Sequence, residues 1–131
     1  MVRDAGLVCS MLVAPTTPDD RAGQIARASS GFIYVLARAG ITGEREALPV
    51  ELPERVLRLR EASDLPLAVG FGIASPKQVE AVCRVADAAI VGSAIMRRID
   101  DSGEGDPKAT VQAVEEFVGN LVAALPTDEA I

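Results

Sequence analysis

Between Leu65 and Ile95 the chain twice runs from an apolar, strand-like stretch through glycine into the start of a helix. The first pass is Leu65-Pro-Leu-Ala-Val-Gly70-Phe-Gly-Ile-Ala-Ser75-Pro-Lys-Gln78, and the second is Ala88-Ala-Ile-Val-Gly92-Ser93-Ala-Ile. A strand feeding a helix in this way is half of a parallel crossover unit, because parallel strands cannot be joined by a tight hairpin. Such a turn leaves backbone N–H groups bare at the strand's carboxyl end, next to the positive end of a helix, where an anion such as a phosphate can sit. Two in succession suggest one shared phosphate site.

The rest of the chain has the same rhythm. Leu7 to Ala14 is nearly continuously apolar, as expected for a strand buried on both faces. Thr17-Pro18-Asp19-Asp20 predicts a helix start, with Thr17 as N-cap, Pro18 at the first helical position and Asp20 completing an acidic capping box. That helix runs to about Ala28, and Phe32 to Ala37 is the second strand, with Phe32, Tyr34 and Leu36 sharing one face. A long glycine-punctuated connection, Arg38 to Pro49, has the length of a lid. A helix from Glu54 to about Ala62, with Val56, Leu57 and Leu59 inward, precedes the strand Leu67 to Gly70. Ser75 to Gln78 is a capping box with Val79, Val82 and Cys83 as the inward stripe; Asp87 to Val91 is the fourth strand. Ala94, Ile95 and Ile99 mark a short helix, and Asp106-Pro107 caps a last, strongly amphipathic one.

Strand followed by helix, four times over, implies a parallel sheet with right-handed crossovers. Four such units fit either a small open α/β domain or half of an eight-stranded barrel. In a parallel barrel the loops after the last two strands commonly hold phosphate, so the two glycine turns place the segment within such a fold.

The 131 residues, 49% of them apolar, make one domain able to bury a real core. A net charge of −6 and 3% aromatic residues exclude a nucleic-acid footprint, so any anion site is local. Arg55, Arg58 and Arg60 lie between acids and read as a solvated helix face. The chain has no histidine, which removes Ser-His-Asp and Cys-His catalysis and most zinc sites together. Cys9 and Cys83 sit in apolar patterns and read as buried small hydrophobes rather than a disulfide. Asp4 interrupts the short apolar start, no small-x-small cleavage site follows, and no run approaches the about twenty residues of a membrane span, so the cytoplasm is expected. Met1 to Gly6 reads as the polar end of a helix.

Gly31-Phe-Ile-Tyr-Val-Leu-Ala-Arg-Ala-Gly-Ile-Thr-Gly43, Gly70-Phe-Gly-Ile-Ala-Ser-Pro-Lys-Gln-Val79 and Val91-Gly-Ser-Ala-Ile95 together resemble the tryptophan synthase alpha subunit, and Val13-Ala-Pro-Thr-Thr-Pro-Asp19 fits as well. The resemblance covers nearly the whole chain. It implies that residues 1–131 are a single domain, the C-terminal half of a (β/α)8 barrel, carrying strands five to eight. The family cleaves indole-3-glycerol phosphate to indole and glyceraldehyde 3-phosphate and hands indole to a beta subunit, without a cofactor or metal of its own. Carried over residue by residue, the resemblance implies that Gly43, Gly72, Gly92 and Ser93 bind the phosphate. Tyr34, Phe71 and Ile90 would line the indole pocket, and Thr42 would sit on the loop that closes over substrate.

Two departures accompany it. The family's catalytic glutamate and aspartate lie in the other half of the barrel and match no position here, while the cleavage needs an acid and a base within hydrogen-bond reach. Glu44 and Glu46 are the nearest carboxylates, and exposed loop acids are ordinarily solvated. The chain alone is therefore expected to be inactive, and an uncovered half-barrel is expected to self-associate. A non-catalytic phosphate-binding or self-associating module is the second reading. Plainer roles also stand beside the functional ones: tight turns for Gly70 and Gly72, core filling for Tyr34 and a turn for Thr42.

Overall fold

The computed structural model describes residues 3–38, 47–102 and 106–126. A 3-10 turn over Arg3–Ala5 leads to β1 (Leu12–Val13), α1 (Asp19–Ala28), β2 (Ile33–Leu36), α2 (Leu52–Ala62) and β3 (Leu67–Gly70). Then come α3 (Pro76–Cys83), β4 (Ala88–Ile90), α4 (Ser93–Asp101) and α5 (Pro107–Val122). All three strand pairings are parallel and the order in the sheet is β1-β2-β3-β4.

That order chooses between the two architectures left open by the sequence. A doubly wound domain reverses its strand order at a switch point, which sends helices to both faces. Here every crossover steps the same way, so right-handed connections lay all the helices on one face. The architecture is half of a (β/α)8 barrel.

Burial follows the same division. Val13, Ile33, Val35, Leu67 and Val69 point beneath the helices and are wholly buried. They pack with Leu52, Val56 and Leu59 of α2 and Val79 and Val82 of α3; burying each such side chain stabilises the fold by about 1.5–3 kcal/mol. Register puts Leu12, Tyr34, Ala68 and Ala88 on the opposite face, followed by Leu36, Gly70 and Ile90. Among the described residues no helix covers that face: Leu12 is 44% exposed and Tyr34, Leu36 and Ile90 are only partly covered, while the small Ala68 and Gly70 between them are buried.

Several local expectations are corrected. The first strand is two residues long, not eight, and Leu7 and Val8 are 62% and 69% exposed. It ends the described sheet order and is buried on one face only, Val13 beneath the helices and Leu12 on the opposite face. Pro18, not Thr17, is the N-cap of α1 and makes no side-chain cap; the Thr17 hydroxyl instead accepts from the Ala14 N–H at 3.0 Å. Leu57 faces solvent, because one residue beyond Val56 it is turned about 100° away from the stripe that Val56 and Leu59 define. Ile99 lies 40% exposed, and of the α5 stripe only Leu121 is fully buried. Cys9 and Cys83 are free thiols, each half-buried.

At the end of the sheet where the strands begin, Asp87 holds three elements together. Its carboxylate accepts from the Leu67 N–H at 2.7 Å and from Arg60 Nη2 at 3.0 Å, and its own N–H donates to the Leu67 carbonyl at 3.0 Å. Burial alone would raise the Asp87 carboxyl, but these donors and the Arg60 charge outweigh it and hold the group below the ordinary carboxylate value.

Candidate functional site

The opposite end, where the strands finish, carries the two glycine turns. Register pairs Gly70 with Ile90, so Gly72 and Gly92, each two residues further on, leave adjacent strands at the same level. Phe71 and Gly72 both have positive φ, +79° and +82°. Two left-handed residues in succession reverse the chain sharply out of β3, and at Phe71, which has a Cβ, that conformation stores strain.

The two helices that follow the turns have different ends. Ser75 caps α3: its Oγ accepts from the Gln78 N–H at 3.3 Å, and Gln78 Oε1 accepts from the Ala74 and Ser75 N–H groups at 2.9 and 3.1 Å. The N-terminus of α3 is thereby satisfied by its own capping box. Gly92 is the N-cap of α4 and, lacking a side chain, supplies no capping acceptor. The Ile95 N–H already donates to the Gly92 carbonyl at 2.9 Å, so by helix geometry the first-turn donors without an intrahelical acceptor are the Ser93 and Ala94 N–H groups, and Gly92 and Ser93 are both exposed. An anion at this end would therefore be held by α4 and the Gly72 turn, not by two equivalent helix starts.

Space around the turns is open. A Cβ at Gly92 would meet nothing within 4 Å, and one at Gly72 would meet only Arg38 Cδ at 3.8 Å. Arg38, two residues after β2, thus runs beside the Gly72 turn, and its guanidinium donates to the Ala47 carbonyl. Sequence reasoning passed over it, although a cation one residue beyond a strand's carboxyl end was visible there.

Gly70 is a different case. A Cβ there would lie 2.6 Å from Tyr34 Cε2 and from its hydroxyl, so the outer end of the Tyr34 ring lies against Gly70, where only hydrogen fits. Tyr34, Gly70 and Ile90 share the uncovered face, and Phe71 stands at its upper rim, 39% exposed. The face therefore offers an aromatic and an aliphatic wall below the glycine turns. Thr42 and Gly43, with Glu44 and Glu46, lie outside the described residues.

A second cavity, of about 560 Å³, opens between the starts of α1 and α2 and is lined by Thr17, Asp19, Arg38, Glu51, Arg55 and Arg58 among others. Its charges are engaged in holding the helices. Arg55 donates to the Leu36 carbonyl at 3.0 Å, and Arg58 bridges Asp19 at 3.5 Å and Glu54 at 3.0 Å. Arg55 is thus half-buried against β2 instead of belonging to a solvated face, and burial lowers its pKa.

Comparison with known proteins bears on this arrangement. A family model described as the tryptophan synthase alpha chain matches residues 1–126. The chain belongs to the tryptophan synthase alpha chain family. It is 48% identical over 130 residues to the tryptophan synthase alpha chain of Rhodopirellula baltica, covering 94% of this chain and 47% of that one. With the alpha chain of Gluconacetobacter diazotrophicus identity is 44% over 120 residues, covering 92% and 44%. The chain spans about half the length of these relatives. Among solved structures it resembles a chain of the tryptophan synthase a2b2 complex of Pyrococcus furiosus, with TM-score 0.78 and 29% identity over 92% of this chain and 48% of that one. A chain of Mycobacterium tuberculosis tryptophan synthase gives TM-score 0.77 and 30% identity, covering 95% and 44%. No described helix is long and apolar enough to cross a membrane.

Proposed function

We propose that this chain is the C-terminal half, strands five to eight, of a tryptophan synthase alpha-type barrel, which binds the phosphate of indole-3-glycerol phosphate and lacks the means to cleave it. The observation that carries the reading is the pair of adjacent glycine turns beside the uncapped start of α4. Backbone N–H groups of Gly72, Gly92 and Ser93, with the Ser93 hydroxyl, hold the phosphate, and Gly43 joins them from the loop that carries Thr42. Tyr34, Phe71 and Ile90 form the wall against which the indole ring lies. Cleavage of the glycerol side chain from the indole carbon needs an acid at that carbon and a base for the departing proton. Both come from the other half of the barrel, and no cofactor or metal takes part. The assembled unit works in the cytoplasm and passes indole to a beta subunit.

The uncovered sheet face is the observation that favours a second reading, a phosphate-binding module without catalysis that must hide that face. One experiment separates them. The chain is titrated calorimetrically with glycerol phosphate and with indole-3-glycerol phosphate, alone and with a separately expressed N-terminal half of an alpha-type relative. Binding by the lone chain, weakened in Ser93→Ala, with turnover only after the second half is added, is the expected result. Turnover by the lone chain would sink the claim that its chemistry is missing, and absence of phosphate binding would remove the site. Binding that never becomes turnover selects the module.

A further inference from the structure

The ladder between β1 and β2 stops one bond short, and an arginine from α2 completes it. The Tyr34 N–H donates to the Met11 carbonyl at 2.9 Å, and Tyr34 faces Leu12 in the register. A residue in a parallel ladder bonds to the residues on either side of the one it faces, so Leu36, two residues on, would take its donor from residue 15. That residue is Pro15, which has no N–H. The chain turns away at this point, with the Thr17 N–H on the Ala14 carbonyl at 3.0 Å. The Leu36 carbonyl is met instead by Arg55 Nη1 at 3.0 Å, from the first turn of α2.

Arg55 serves this bond and little else. Among the described residues it makes no other hydrogen bond and no ion pair in contact, Glu51 acting on its charge only through space. Arg58, which lines the same cavity, pairs with both Asp19 and Glu54. A half-buried guanidinium without a carboxylate in contact is uncommon, and its bond to a carbonyl is roughly twice as strong as a neutral one. On the other flank of β2 the Ala37 N–H donates to the Gly70 carbonyl at 2.8 Å. The end of β2 is therefore gripped from both sides, by Gly70 and by Arg55.

We propose that Arg55 is a positioning residue for the ligand site: from the helix side of the sheet it fixes the Leu36 carbonyl, which keeps the Tyr34 ring against Gly70 and Arg38 beside the Gly72 turn. The inference rests on the reading of Tyr34 and the glycine turns as a ligand site. Tyr34 lies two residues before Leu36 and Arg38 two residues after it, so slack at this carbonyl reaches both. Such a bond acts through populations. If the ordered strand end becomes one arrangement in about ten, affinity for a ligand that needs it falls about tenfold.

Tyr34 is the chain's one tyrosine and there is no tryptophan, so tyrosine fluorescence reports on this ring alone. Its quenching by acrylamide is measured on the complete chain without ligand. Arg55→Met keeps the aliphatic stem and loses the donors, Arg55→Lys keeps a charge and a donor, and Arg58→Met breaks the neighbouring ion pairs without touching β2. Tyr34 accessibility is expected to rise from wild type through Arg55→Lys to Arg55→Met, with Arg58→Met equal to wild type. Unchanged quenching in Arg55→Met, an equal rise in Arg58→Met, or no difference between Arg55→Lys and Arg55→Met overturns the proposal. Should Arg55→Met lose its helical circular dichroism, Arg55→Lys carries the comparison, and a wild-type value there overturns it as well. Calorimetric titration with glycerol phosphate is expected to show binding about tenfold weaker in Arg55→Met than in wild type, and equal affinities overturn the proposal. A wild type that binds no glycerol phosphate removes the phosphate site instead, while the quenching series still decides on Arg55.

Discussion

Gly70→Ala puts a single methyl group where the Tyr34 ring already lies. The added Cβ would come within 2.6 Å of both Tyr34 Cε2 and its hydroxyl, and 2.9 Å of Cζ, all below the separation that real Cβ atoms tolerate. Gly70 is not among the positive-φ glycines, so alanine meets no backbone strain, and the lower entropy of the unfolded chain offsets the collision by about 0.4–1 kcal/mol. Forcing extra volume into a packed contact costs about 1–3 kcal/mol. Because Tyr34 borders the uncovered face it can swing outward, which places the expected loss near ~1 kcal/mol, or roughly 4 °C in Tm. Urea denaturation followed by circular dichroism at one fixed chain concentration measures it, since any self-association makes stability depend on concentration. Tyr34→Leu removes the colliding ring atoms, so in the double mutant Gly70→Ala costs less than it does alone, with a coupling of about 0.5 kcal/mol or more. An unchanged stability for Gly70→Ala, or strict additivity with Tyr34→Leu, would refute the packing of ring on strand.

Other expectations follow from the two ends of the sheet. Ser75→Ala removes the half of the α3 capping box in which Ser75 Oγ accepts from the Gln78 N–H, leaves Gln78 Oε1 on the backbone N–H of residue 75, and lowers stability by about 1 kcal/mol in the same urea assay; a loss near zero would mean that the cap is ornamental. Phe71→Gly is more stable than Phe71→Ala by about 1 kcal/mol, since both lose the ring but only glycine occupies the left-handed region freely; equal stabilities would show that Phe71 is unstrained. Asp87 has a folded pKa below its unfolded value, so its contribution is present above about pH 3.9 and is lost as pH falls through the lower folded value. The stability gap between wild type and Asp87→Asn therefore narrows on acidification through that window, and a gap constant with pH would contradict the pairing with Leu67 and Arg60.

Local chemistry made much of the fold legible. The capping box at Ser75 and Gln78 and the Asp106 cap, which accepts from the Lys108 N–H at 3.0 Å, involve partners within a few residues of one another, and the strand Leu67–Gly70 was legible from its short apolar run ending in glycine. Failures came where distant or competing contacts decide. Thr17 has the composition of an N-cap, yet its hydroxyl closes a turn onto Ala14 while the Thr17 N–H donates to the Ala14 carbonyl at 3.0 Å, and the helix starts a residue later. Leu7 to Met11 has the composition of a buried strand, but apolar residues do not reveal whether a neighbour exists on both sides.

The candidate site divides in the same way. Gly72, Gly92 and Ser93 were readable because a glycine turn into a helix is a local pattern. That the α3 end is closed while the α4 end is open depends on which hydrogen bonds form across each turn, and Arg38 came into view only through its approach to Gly72.

The sequence by itself determined the alternation of strand and helix, the positions of the glycine turns and the family, since each is carried by residue types at short spacing. Tertiary structure decided that the strand order runs β1 to β4 without reversal, which sends the helices to one side and leaves Leu12, Tyr34, Leu36 and Ile90 on a face that no described helix covers. Period-two alternation gives a strand two faces but does not say which of them the helices will cover. That choice belongs to the direction of the crossovers, and it is what makes this chain half of a closed fold.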